Sequence, residues 1–106
     1  MVDCIIMDLK DNVATVIHKT VAGDHMTIAD TKMNEVGTVV AVDEIPFAHK
    51  ISLTDIRQGD KIVKYGQLIG KATMDIPLGG YAHVHNIVSI EGSEKVVSVN
   101  QDKGEV

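Results

Sequence analysis

The sequence has no tryptophan, one phenylalanine and two tyrosines among its 106 residues. With aromatics at 3%, the interior must be built from small branched side chains. Cysteine is almost as scarce. Cys4 stands alone, which excludes an internal disulfide and suits a reducing compartment. Basic residues are outnumbered, 10 against 15 acids, for a net charge of −5. They are also scattered, so neither nucleic acid nor an anionic membrane finds the clustered Lys and Arg it needs. No apolar run approaches the ~18 residues of a transmembrane helix. The start, "MVDCIIMDLKDN", lacks the basic region of a signal peptide, so a cytoplasmic protein is expected. Neither GxxxxGK[ST] nor GxGxxG occurs, which removes the common phosphate loops. No Ser-His-Asp or Cys-His order stands out.

What remains is 44% hydrophobic and 24% charged, the composition of one soluble globular domain over residues 1–106. A chain of this length buries only about two-thirds of its unfolded surface, which favours a partner. The tail "NQDKGEV", from 100 to 106, is polar and expected to fray. Short runs rich in Val, Ile and Thr predict strands. They are "CIIM", "NVATVIH", "HMTIA", "GTVVAV", "DKIVKY", "QLIGKATMDI", "AHVHNIVSI" and "KVVSVN". Glycine-bearing turns separate them, so the fold class is all-β. One short helical turn is expected in "SLTDIRQGD", with Ser52 as its cap, Asp55 three residues on, and Gly59 as its stop. Two segments echo each other. "HKTVAGDHM" and "HKISLTDIRQGDKI" both run from His-Lys through an apolar stretch to Gly-Asp and a strand.

Three stretches carry residues suited to chemistry. "HVH" places His83 and His85 on alternate positions. On a strand they share one face, with Cα atoms about 6.5–7 Å apart. Two imidazoles so spaced can grip a metal ion or flank an anion, although a catalytic zinc takes three protein ligands. Two solvated histidines on a strand face explain the pattern as well. Asn86 follows, able to orient a substrate hydroxyl or to close a turn. In "IPFAHKISL", Lys50 is a point charge suited to a carboxylate, and His49 can exchange protons near neutral pH. As strand neighbours the two face opposite sides. A solvated Lys and a packed His remain the plain alternative.

Taken together, "DNVATVIHKTVAGD" and "IPFAHKISLTDIRQGDKIVKYGQLIGKATMDIPLGGYAHVHN" resemble the small N-terminal domain of the altronate and galactarate dehydratase family. The same module occurs as the free alpha subunit of sulfolactate sulfo-lyase. The resemblance covers positions 11 to 87. It implies a SAF-type β-clip fold of short strands and hairpins, and a much larger catalytic partner, as a separate subunit or fused domain. It implies a sugar-acid substrate that loses water, or sulfolactate that loses sulfite, with a divalent metal, usually Fe(II). By resemblance, His83 and His85 become candidate metal ligands, Lys50 and Asn86 candidate substrate contacts, and His49 a candidate catalytic residue. Many relatives carry histidine where this sequence has Tyr81, so a three-histidine site is incomplete here. Two other readings stay open: a carbohydrate-binding module without chemistry, and an oligomerisation domain whose edge strands pair copies of the chain.

Overall fold

The computed structural model describes residues 1–89. The expected strand "KVVSVN" and the polar tail lie outside the described residues. The strands are β1 (Cys4–Ile5), β2 (Val13–Val16), β3 (His25–Ala29), β4 (Glu35–Val40), β5 (Lys50–Ser52), β6 (Lys61–Lys64), β7 (Gln67–Ala72), β8 (Tyr81–Ala82) and β9 (Ile87–Ser89). The all-β expectation holds.

β-Branched and small residues dominate these segments because they pack well on a pleated, half-buried surface. Six strands form one sheet in the order β4-β3-β1-β2-β5-β8, and three form a second in the order β6-β7-β9. Among the described strands only β1 and β3 run parallel. One face of the larger sheet covers a core of Cys4, Ala14, Val16, Met26, Ile28, Val39, Ile45 and Ile51. Val13 and Ala82 join Ile56, Ile62, Ala72, Ile76 and Ile87 in a second core, which ties the two sheets together. Burying one such Ile or Val side chain contributes about 1.5–3 kcal/mol. Asn12 adds a polar link between the sheets. Its Nδ2 donates to Lys61 O at 2.9 Å, and its Oδ1 accepts from Val63 N at 2.8 Å.

Two local expectations need correction. No helix occurs among the described residues, and "SLTDIRQGD" holds none. Ser52 ends β5 instead, and Ile56 makes an isolated antiparallel bridge to Ile76. Asp55, placed as a helix-capping acid, reaches across that bridge to accept from Leu78 N at 2.9 Å, and Asp75 accepts in return from Gln58 N at 2.8 Å. Non-local partners for these carboxylates outcompete a one-turn helix, whose nucleation is costly. The run "AHVHNIVSI" is likewise not one strand. A turn at His83–Asn86 divides β8 from β9.

The sequence echo is structural. Gly23 and Gly59 take equivalent positions with φ of 96° and 89°. Asp24 Oδ2 accepts from Val21 N, and Asp60 Oδ2 from Arg57 N, at 3.0 and 2.9 Å. Gly23 N donates to Ala41 O and Gly59 N to Ala72 O, each at 2.8 Å. The same turn recurs before β5 and β8, with Ala48 (φ 75°) and Gly79 (φ 83°) in the left-handed position. Each bridge joins two of these turns: Thr20 pairs with Ile45, and Ile56 with Ile76.

Candidate functional site

β5 and β8 are antiparallel neighbours, with Lys50 opposite Ala82 and Ile51 opposite Tyr81. Strand alternation then fixes the faces. Ala14, Ile51 and Tyr81 share one face, and Thr15, Lys50 and Ala82 share the other. His49 immediately precedes β5 and His83 immediately follows β8, so the pairing lays their rings together. The ring centroids stand 3.9 Å apart with planes 25° from parallel. Tyr81 Oη lies 2.6 Å from His49 Nδ1. The Tyr81 ring is 6.0 Å from His83 and 4.7 Å from His85. His49, His83, Tyr81 and His85 therefore form one contiguous group of rings at the end of β5 and β8.

The backbone around this group is held from several sides. Ala48 N donates to Val16 O at 2.9 Å, which maintains the left-handed residue just before His49. Asp43 Oδ2 accepts from Tyr81 N at 2.9 Å. Asn86 is 4% exposed, and both ends of its amide are hydrogen-bonded. Its Oδ1 accepts from His83 N at 2.9 Å, and its Nδ2 donates to Tyr81 O at 2.8 Å. Its own N–H donates to His83 O at 3.1 Å, closing the turn. Asn86 thus sets the positions of Tyr81 and His83.

The sequence candidates divide accordingly. His49, His83 and His85 come together, although His83 and His85 sit on a turn and not on a strand face. Lys50 is 2% exposed and belongs to the opposite face, as strand alternation required. Asn86 is buried and bonded to the backbone of Tyr81 and His83. Tyr81 is the member that sequence reasoning left out as a contributor. The signal was available: Tyr81, His83 and His85 continue one alternate spacing.

The electrostatics are local. Burial pushes the Tyr81 phenol above its ordinary value, so it stays protonated and able to donate. Burial also pushes the Cys4 thiol up to about 12, which leaves it inert as a nucleophile. Away from the rings, His18 faces two acceptors, Lys19 O at 2.9 Å and Asp3 Oδ1 at 2.7 Å. These raise its pKa, the Lys19 carbonyl most and the Asp3 carboxylate next. For Asp3, burial acts upward, but the Thr27 N–H and the His18 ring outweigh it and hold the carboxyl below its usual value.

A metal finds an incomplete donor set here. Among the described residues no group of three or more His, Cys, Asp or Glu side chains is placed to hold an ion. The stacking of His49 on His83 explains part of this. Imidazole lone pairs lie in the ring plane, so two stacked rings present theirs side by side and do not converge within the roughly 2.0–2.2 Å a metal needs. Asp55 and Asp75 are engaged by backbone amides, and Asp11 accepts from Met7, Asp8 and Gly66.

The sequence profile of the altronate/galactarate dehydratase SAF domain matches residues 2–90. The chain belongs to this family. The SAF domain is 52% identical over 44 residues to an altronate dehydratase of Bacillus subtilis (strain 168), which is 42% of this chain and 9% of that protein. It is 34% identical over 76 residues to an altronate dehydratase of Escherichia coli (strain K12), 72% of this chain and 14% of that one. A (2R)-sulfolactate sulfo-lyase subunit alpha of Chromohalobacter salexigens is 29% identical over 87 residues, 81% of this chain and 93% of that subunit. The chain thus spans a small fraction of the dehydratases and nearly all of this alpha subunit. Its homologues are domains or subunits of lyases. No helix among the described residues is long and apolar enough to cross a membrane.

Proposed function

We propose that this SAF domain completes the substrate site of a larger sugar-acid dehydratase of the altronate or galactarate type, and is inactive alone. The observation that carries the reading is the gathering of His49, Tyr81, His83 and His85 at one end of β5 and β8, in a domain of this family. Imidazole and phenol edges offer the donors and acceptors that a polyhydroxy carboxylate requires. His49 contacts the substrate, while Asn86 holds the turn that presents His83. Lys50, the candidate substrate contact by resemblance, is buried on the strand face opposite that of Ile51 and Tyr81. His83 and His85 are the side chains this chain would contribute to a divalent metal, Fe(II) by resemblance, with the remaining ligands supplied by the large catalytic partner. When bound, such a metal stabilises the negative charge that develops as the proton beside a carboxylate leaves. The lone, buried Cys4 supports a reducing, cytoplasmic setting. Exposed edge strand β4 offers a route to self-association.

A second reading is favoured by a separate observation. The match to the alpha subunit of sulfolactate sulfo-lyase covers 93% of that relative, against 9% and 14% of the dehydratases. In that reading the same rings bind sulfolactate and the leaving group is sulfite.

The test is anaerobic turnover of altronate, galactarate and sulfolactate by the large partner, with and without this chain, in the presence of Fe(II). Turnover that requires the chain, and that falls about 10–100-fold with His83→Ala/His85→Ala, supports the proposal. A large partner fully active on its own sinks it. The preferred substrate decides between the two readings.

A further inference from the structure

We propose that Tyr81 is a positioning residue: its hydroxyl holds His49 with Nδ1 as acceptor, so that Nε2 carries the ring proton and His49 meets its ligand as a hydrogen-bond donor. The inference deepens the reading above, since the ligand is the same oxygen-rich acid, and it assigns a direction to the contact.

Three observations support it. The Tyr81 Oη to His49 Nδ1 distance is 2.6 Å, short for a hydrogen bond to nitrogen. It is also the one hydrogen bond of the phenol among the described residues, so only acceptance by Nδ1 gives the phenol proton a protein partner. If His49 donated instead, that proton would have none. Second, His83 lies flat against His49 at 3.9 Å and restricts its rotation. Flipping the ring would put a carbon where Nδ1 now meets the phenol, so the same bond fixes the flip. Third, Tyr81 is held in turn. Asp43 accepts from its N–H, and Asn86 donates to its carbonyl, at 2.9 and 2.8 Å. Acceptor, ring flip and phenol are thus determined together.

The consequence is a change of role. A neutral imidazole has one protonated nitrogen and one lone pair. With the lone pair committed to Tyr81, Nε2 cannot accept a proton from a substrate. It can donate to a carboxylate or hydroxyl oxygen. His49 then recognises the acid or steadies a departing oxygen, and the base that removes the substrate proton lies elsewhere in the assembly.

The test uses the full chain labelled with 15N-histidine, read by long-range proton–nitrogen correlation at a pH where the imidazoles are neutral. In the wild type, His49 Nδ1 should show the shift of an unprotonated nitrogen and Nε2 that of a protonated one. In Tyr81→Phe, both shifts should move toward the average of the two tautomers. A wild-type Nδ1 that carries the proton overturns the proposal, and so does a Tyr81→Phe spectrum identical to the wild type. If the variant does not fold, the wild-type tautomer decides alone. No ligand is needed, so this result is separable from failure of the dehydratase reading. Adding galactarate to the wild type supplies the second arm. A bound acid that shifts Nε2 and leaves Nδ1 in place supports donation, and a bound acid that deprotonates Nε2 overturns it.

Discussion

Asp3 and His18 show how much one contact can fasten. Asp3 Oδ2 accepts from Thr27 N at 2.7 Å while Oδ1 meets the His18 ring, so a single carboxylate joins the approach to β1, the end of β2 and the middle of β3. The pair has a defined pH window. Asp3 is lowered on folding, so its contribution is present above about pH 4 and disappears as pH falls through the folded value. His18 is raised, so its contribution is complete below about pH 6.5 and disappears as pH rises through the folded value. The two overlap between roughly pH 4 and 6.5. Thermal unfolding of wild type and His18→Asn should therefore differ most near pH 5.5 and converge at pH 8.5. The effect will be modest, because the His18 side chain is 42% exposed. An equal gap at both pH values would show that the ring acts by packing, not by charge.

Among the turns, Gly79 has the tightest surroundings. A Cβ there would lie 2.0 Å from Val40 O, and φ is 83°. Val42 N also donates to Gly79 O at 3.0 Å, which draws the end of β4 against the turn before β8. Gly79→Ala should cost on the order of 3 kcal/mol, from left-handed strain plus a backbone collision. It should also displace Tyr81, two residues on. Chemical denaturation gives the first result, and loss of the His49–Tyr81 tautomer signature gives the second. Elements of this kind explain what sequence reading reached and what it did not. β2, β3, β4, β6 and β7 were legible because their apolar residues alternate or run together between glycines. β5 was not. "KIS" is three residues long, and Ser52 beside Asp55 imitates a helix cap. Only pairing to β2 and β8, both distant in sequence, makes it a strand. In "HVHN" a turn closed by Asn86 was legible as one of two readings, but not the contacts that make it, because the amide works through the backbone of His83 and Tyr81.

At the scale of the whole molecule, the ring group exists only where distant segments meet. His49 and His83 are brought together by the β5–β8 pairing, and β5 in turn is registered by β2. Spacing could mark His83 and His85 as candidates, and imidazole chemistry could mark His49. Neither could give the 3.9 Å stack or the phenol contact. The strand order carries a kinetic consequence. β3–β4 and β6–β7 are hairpins of neighbouring strands, whereas β1–β3, β2–β5, β5–β8 and β7–β9 close longer loops. Because loop closure must precede the contacts that reward it, folding should be dominated by long-range pairing and occupy about milliseconds to seconds. Stopped-flow refolding of a Tyr65→Phe variant, followed by the fluorescence of Tyr81, should find that residue reporting the late event, while amide protection appears first in the β3–β4 and β6–β7 hairpins. Simultaneous protection of β5 would overturn that order. On that order, a refolding chain should hold His49 and His83 apart until β5 and β8 pair, so the group of rings should be among the last features of the described strands to form.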